Sequence, residues 1–193
     1  MFWGKAHHRK SKRCGRQRGL TLTDTLLTIV IAGFVLGGVG ILFVTGIADN
    51  KTNIGLQQFI TMQNAVRSLY ASSSDFTGLD NSIMYASGFV PPDIQTNVVD
   101  DMRNVWGGEI NVSVNAGTTS RFDLSFADVP PESCLRIVSY NAVSESTTDG
   151  LDSIMVTANG SDVTFDAFPA AVVDVLNACD DADAEATITW VMY

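Results

Sequence analysis

Histidine is confined to positions 7 and 8, so no Ser-His-Asp or Cys-His arrangement can be assembled anywhere beyond the N-terminal flank. The chain also lacks a phosphate-cradling glycine loop, an HExxH motif and a CxxC motif. Basic residues are scarce after residue 18: only Lys51, Arg67, Arg103, Arg121 and Arg136 remain, against 21 Asp and Glu, a formal charge of −16 over residues 20–193. So acidic a segment argues against nucleic acid as a partner, because phosphate contacts need Lys and Arg. Together these absences argue against an enzyme and imply no catalytic residue and no cofactor. The acidic group Asp180, Asp181, Asp183 and Glu185 offers oxygen ligands but not the spacing of a calcium loop. It reads as a solvated loop, and no metal site is expected. Sequons at Asn50, Asn111 and Asn159 carry meaning only in a cell that glycosylates them.

Charge is missing altogether from Thr25 to Ala48, an uncharged run of 24 residues whose apolar start is interrupted only by Asp24. As a helix at about 1.5 Å per residue, that run is long enough to span the hydrocarbon core of a bilayer. Residues 1–19 hold Lys5, Arg9, Lys10, Lys12, Arg13, Arg16 and Arg18 and no acid. By the positive-inside rule this flank stays in the cytoplasm, and the acidic remainder crosses the membrane. The expected division is a basic leader over 1–19, a membrane helix over 20–48 and a head domain over 49–193. Of the three cysteines, Cys14 lies in the leader, whereas Cys134 and Cys179 lie on the exported side. There they are expected to form a disulfide, the alternative being two unpaired buried thiols.

The helical signal continues past Ala48. Ile54, Phe59, Met62, Val66, Leu69 and Tyr70 form an apolar stripe in an otherwise polar segment, so the helix is expected to reach about Tyr70 or Ala71. Ser72, Ser73 and Ser74 end it, and a loop-rich region with room for short helical turns runs to Trp106. Alternation then predicts strands over Gly107–Asn115 and Arg121–Val129, joined as a hairpin. A short helix follows Pro130 and Pro131, with Cys134, Ile137, Val138 and Asn141 on one face. Asp152–Thr157 and Asp162–Phe168 form a second hairpin about Asn159 and Gly160. A helix beginning at Pro169 carries Cys179, and Ala186–Tyr193 is a closing strand. The fold class is α+β, a long helix whose second half is packed by an antiparallel sheet.

Arg18, Gly19 and Leu20, followed by Thr21, Leu22, Thr23 and Asp24, place a glycine between a basic leader and a long apolar helix. This junction resembles that of type IV prepilins, and the leader length and first residue after Gly19 resemble the type IVb branch. Further along, FTGLD (76–80), WGGEINV (106–112), the widely spaced Cys134 and Cys179 and the terminal apolar strand are similar, in that order, to bundle-forming pilins. The resemblance implies the type IV pilin fold, with the C-terminal strand inside the sheet and Thr187 to Tyr193 central, a place that the strand's composition permits with burial on both faces. It implies that a prepilin peptidase cuts after Gly19 and N-methylates Leu20. It also implies that Asp24 docks on the N-terminal amine of a neighbouring subunit, although the family usually has Glu at that position. Gly33, Gly37, Gly38 and Gly40 are dense for a helix; they suit close packing of membrane helices or local extension once subunits leave the bilayer.

The function expected on this basis is that of a structural subunit of a type IVb pilus, serving adhesion, aggregation or conjugative mating contact. Its partners would be copies of itself in a helical filament, the peptidase, an assembly platform and, before assembly, the inner membrane. Two alternatives stand beside it: a minor pilin or secretion-system pseudopilin, and an exported periplasmic binding module with its signal cut after Ala48.

Overall fold

The computed structural model describes residues 22–143, 150–180 and 185–193, with the side chains of 24, 36–48, 142 and 143 outside that description. Two compact units divide the chain, Met1–Phe43 and Val44–Tyr193. The first helix, α1, covers Leu22–Leu69. It ends within a residue or two of the point where the apolar stripe gives way to serines.

In the second unit, Phe59, Met62, Ala65 and Val66 of α1 are buried, a spacing that keeps them on one helical face. Ile54, Leu69 and Tyr70, at the margins of the stripe, are half-buried. The face lies on a five-stranded sheet made of β1 (Ile110–Val114), β2 (Phe122–Val129), β3 (Leu151–Ala158), β4 (Ser161–Phe165) and β5 (Ala186–Met192). The order is β1-β2-β5-β3-β4, and every pair is antiparallel. The chain's last strand is therefore the central one, as the resemblance implied. Phe59 meets Trp190 of β5 with ring centroids 4.5 Å apart, and Phe126 of β2 approaches the same indole edge-on at 5.3 Å. Burial on both faces of β5 does not hold. Ala186, Ile188, Trp190 and Met192 are buried, while Thr187, Thr189 and Val191 face a half-open side and Tyr193 is exposed. An antiparallel sheet with one covered face needs only alternate apolar positions, and β5 supplies just those.

Three further elements complete the unit: α2 (Asn81–Ser87), α3 (Pro131–Val143) and α4 (Val172–Cys179). The first sits in the region read as loop. Asp80 caps it, its carboxylate accepting from Ile83 N at 2.8 Å and from Ser82 Oγ at 2.7 Å, and Gly88 at φ 75° closes it. Those bonds, the Ile83 amide first, hold the Asp80 carboxyl below its usual range. Two boundaries differ from expectation. The fourth strand stops at Phe165 instead of Phe168, because its pairing with β3 ends at Ile154↔Phe165. Pro169 precedes α4 rather than opening it; the N-cap is Ala171, which has no capping side chain.

The connection before β1 is pinned by Asn104. Its Oδ1 accepts from Trp106 N and Gly108 N, and its Nδ2 donates to Ala127 O at 2.6 Å. Gln58, buried on α1, accepts from Val105 N at 2.9 Å, and the far edge of the Trp106 indole comes so close to the helix that a Cβ at Gly55 would fall 2.3 Å from its Cη2. A Cβ at Gly108 would fall 1.9 Å from the Ala127 carbonyl oxygen, which sits where β2 shifts register between Phe126 and Val129. Backbone cannot yield as a flexible side chain can. Gly108→Ala is therefore expected to destabilise the domain by about 2–3 kcal/mol, read as a lower denaturant midpoint at unchanged slope.

Candidate functional site

In the first unit, α1 shows solvent a nearly continuous apolar surface. Leu22, Leu26, Leu27, Ile29, Val30, Ile31, Phe34 and Val35 are each 52–79 % exposed. Two of the hydroxyls among them turn back to the helix itself: Thr25 Oγ1 donates to Leu22 O at 2.8 Å and Thr28 Oγ1 to Thr25 O at 3.1 Å. Hydroxyl protons satisfied in this way need no partner outside the helix. At about 25 cal/mol per Å² of buried apolar area, such a surface strongly favours a cover, whether lipid or protein.

Asp24 occupies the third position of α1, and Gly33, Gly37, Gly38 and Gly40 all fall where α1 is helical. A Cβ on Gly33 would meet nothing within 4 Å, so the intramolecular packing gives no reason for glycine there. Gly19 and Leu20 lie outside the described residues. Among the described residues no helix is long and apolar enough to cross a membrane. The span expected over 20–48 rests in large part on side chains outside that description.

In the second unit, α3 and α4 are fastened to the rest by a short set of contacts. Cys134 on α3 and Cys179 at the end of α4 form a disulfide, with Cα atoms 5.8 Å apart and a sequence separation of 45. Next to Cys134, Ser133 shares a buried 2.9 Å hydrogen bond with Thr52 of α1, and Arg136 pairs with Asp49 at the surface. Arg67 Nη2 donates to Tyr193 O at 3.2 Å, tying α1 to the residue after β5. Gly150 leaves room for that guanidinium: at φ 85°, a Cβ there would fall 1.9 Å from Nη2. Composition could not have singled out Thr52, Ser133 or Arg67, since each looks like an ordinary polar residue until the fold supplies its partner. Of the acidic group, Asp180 and Glu185 are described, and Asp181 and Asp183 lie outside. Among the described residues no three His, Cys, Asp or Glu come together to hold a metal ion.

The chain joins an apolar helical segment, in sequence, to an acidic, disulfide-fastened head, and known proteins match most of its length. The major structural subunit of bundle-forming pilus from Escherichia coli O127:H6 is 20 % identical over 182 residues, covering 91 % of this chain and 94 % of that protein. The corresponding subunit from Escherichia coli O111:H- matches to the same extent. Among solved structures, the type IVb pilin from Salmonella typhi superposes with a TM-score of 0.53 at 15 % identity, over 70 % of this chain and 95 % of that one. A type IV pilin from Vibrio cholerae El Tor biotype gives 0.51 at 13 % identity, over 75 % and 99 %. The fold is that of the type IV pilins, and because the bundlin family model matches residues 46–193, the chain belongs to the bundlin family.

Proposed function

We propose that this chain is the precursor of a structural subunit of a type IVb pilus, polymerised through α1 into an extracellular filament. The observation that carries the reading is the exposed apolar surface of Leu22 to Val35 on a chain that is otherwise strongly acidic. Family membership supports it, since the curated relatives are major pilus subunits by name. Before assembly, the uncharged run holds the subunit in the inner membrane with residues 1–19 in the cytoplasm. A prepilin peptidase removes that leader after Gly19 and methylates Leu20. An assembly platform then moves the helix from lipid into a bundle of its own copies. Asp24 pairs there with a neighbour's N-terminal amine, and Gly33, Gly37, Gly38 and Gly40 permit close packing and local extension. The filament serves adhesion, aggregation or mating contact.

N-terminal sequencing of filaments sheared from cells tests this. Leu20, methylated on its amine, is the expected first residue; a chain starting at Asp49 would mean an ordinary signal peptide and overturn the proposal. Cohesion is also expected to come from buried apolar helices and not from ion pairs between heads of like charge. Sheared filaments should therefore keep their length in about 1 M salt, where the Debye length falls to about 3 Å. Dissolution by salt would contradict this.

A further inference from the structure

The two edges of the sheet are treated differently. Along β1 all three outward N–H groups, and the outward carbonyl of Ile110, find partners in the same chain. Ile110 N donates to Met102 O at 2.8 Å, Val112 N to Asn81 Oδ1 at 2.7 Å, and Val114 N to Leu79 O at 3.3 Å, while Asn81 Nδ2 donates to Ile110 O at 3.1 Å. The amide of Asn81 thus stands in for a neighbouring strand and closes that edge.

Among the described residues nothing comparable covers β4. Ser161, Asp162, Val163 and Thr164 are all exposed. Positive φ at both Asn159 (49°) and Gly160 (76°) marks a type I′ turn, so Ala158 and Ser161 form the hydrogen-bonded pair that closes the hairpin. Alternation from there makes Val156↔Val163 and Ile154↔Phe165 hydrogen-bonded pairs too. Asp162 and Thr164 must then turn their N–H and C=O groups to the free edge. Among the described residues, none faces them.

We propose that the free edge of β4 pairs antiparallel with β4 of a second copy in an adjacent filament, joining filaments side by side. The proposal rests on the pilus-subunit reading. Its support is that this strand is self-complementary in one register. With a two-fold axis through Val163, Asp162 falls opposite Thr164 of the second copy, and both outward pairs exchange backbone bonds, four in all. Val163 meets Val163 at a close, non-hydrogen-bonded position, covering a side chain now 37 % exposed at the rim of the core. No acid faces an acid: the Asp162 carboxylate, which already accepts from Thr157 Oγ1 at 2.7 Å, lies beside the hydroxyl of Thr164, and Asp166 falls opposite Gly160. An isologous contact of this kind cannot be produced by the head-to-tail operator that builds one filament, so it lies between filaments. Repetition along two filaments converts a weak pairing into a stable one.

The test uses the full chain on cells that assemble it. Val163→Cys places two thiols about 4.5 Å apart by Cα, within disulfide range. Oxidised bundles should yield disulfide-linked dimers on a non-reducing gel, and Ser161→Cys, which faces Phe165 in this register, should not. Thr164→Pro removes an outward N–H without touching the bonds to β3, and should leave single filaments while the fraction sedimenting as bundles falls about tenfold or more. Bundles that form without the Val163→Cys dimer, or that survive Thr164→Pro, overturn the edge pairing. So do unsubstituted filaments that stay single. If Thr164→Pro abolishes the subunit, the cysteine variants decide alone. Absence of filaments from the unsubstituted chain instead overturns the polymer reading.

Discussion

Replacing Cys134 and Cys179 together by serine is expected to lower the stability of the folded subunit by about 4 kcal/mol, the chain-entropy value for a loop of this size. For a domain of this length, that corresponds to a fall in Tm of roughly 10 °C. The structure shows why the loss is not made up elsewhere. The eight-residue α4 is far too short to be stable alone, and its N-cap, Ala171, supplies no side-chain bond. Only Val175, Ala178 and Cys179 of α4 are buried, while Val172, Val173 and Leu176 face solvent. The helix that carries the first cysteine, α3, is better secured, by the buried Thr52–Ser133 hydrogen bond and the Asp49–Arg136 pair. The surface pair adds little. Loss of the disulfide should therefore be uneven. Amides of α4 and β4 should exchange far faster, while those of α1 from Phe59 to Val66 keep most of their protection. Thermal unfolding of the double variant, with hydrogen exchange by mass spectrometry, checks both parts. A stability loss below about 1 kcal/mol would show that packing alone holds α4.

Much of the head was legible because its strands bury one face. Ile110, Val112 and Val114, then Phe122, Leu124 and Phe126, alternate as a half-covered sheet requires, and every one of them but the marginal Val114 is fully buried. The Asn159–Gly160 turn was equally plain, since few other dipeptides accept positive φ twice in succession. Where periodicity was the only guide, the edges slipped. Phe168 continues the apolar look of β4, but β4 leaves the ladder at Ile154↔Phe165 although β3 runs on to Leu151, and Pro169 stands about one turn ahead of α4, which opens at Val172. The helix α2 went unread although Asp80 and Gly88 bracket it, because only seven residues with one buried side chain, Met84, give no visible period. Strand order is a different matter. No local pattern says that the last strand inserts between β2 and β3; resemblance supplied that, and chemistry permits it because β5 is rich in β-branched and aromatic residues. The apolar surface proposed for assembly is visible in the sequence itself, since a long uncharged run needs no tertiary information to be seen. The contacts that fasten head to helix were the least legible, because Thr52, Gln58, Ser133 and Asn104 are identified only by the partners that the fold brings to them.

Asp24→Leu is expected to abolish filaments while leaving the precursor processed and in the membrane. The opposite sign is what makes the substitution informative. A carboxylate among apolar residues opposes residence in lipid, by up to about 3 kcal/mol near a helix centre and less toward its end. Were α1 only an anchor, removing that charge would improve it. A polymer reverses the outcome, because the neighbour's N-terminal amine, carried into an apolar bundle, would lose its only proposed counter-charge. Leaving one member of a buried pair alone costs about 3–5 kcal/mol, enough to shift assembly by about a hundredfold or more. Position within the helix offers a rival account, since an acid in the first turn of α1 also complements the helix dipole, for about 0.3–1 kcal/mol. The conservative variants separate the two. Asp24→Glu keeps the charge and adds a methylene of reach, so filaments should form at least as well as with Asp. Asp24→Asn keeps size and hydrogen-bonding oxygen but not the charge; pairing predicts loss of filaments nearly as complete as with leucine, whereas a dipole effect predicts a modest fall. The yield of sheared filament, normalised to processed subunit in the membrane fraction, distinguishes them. Normal assembly of Asp24→Asn would end the docking role.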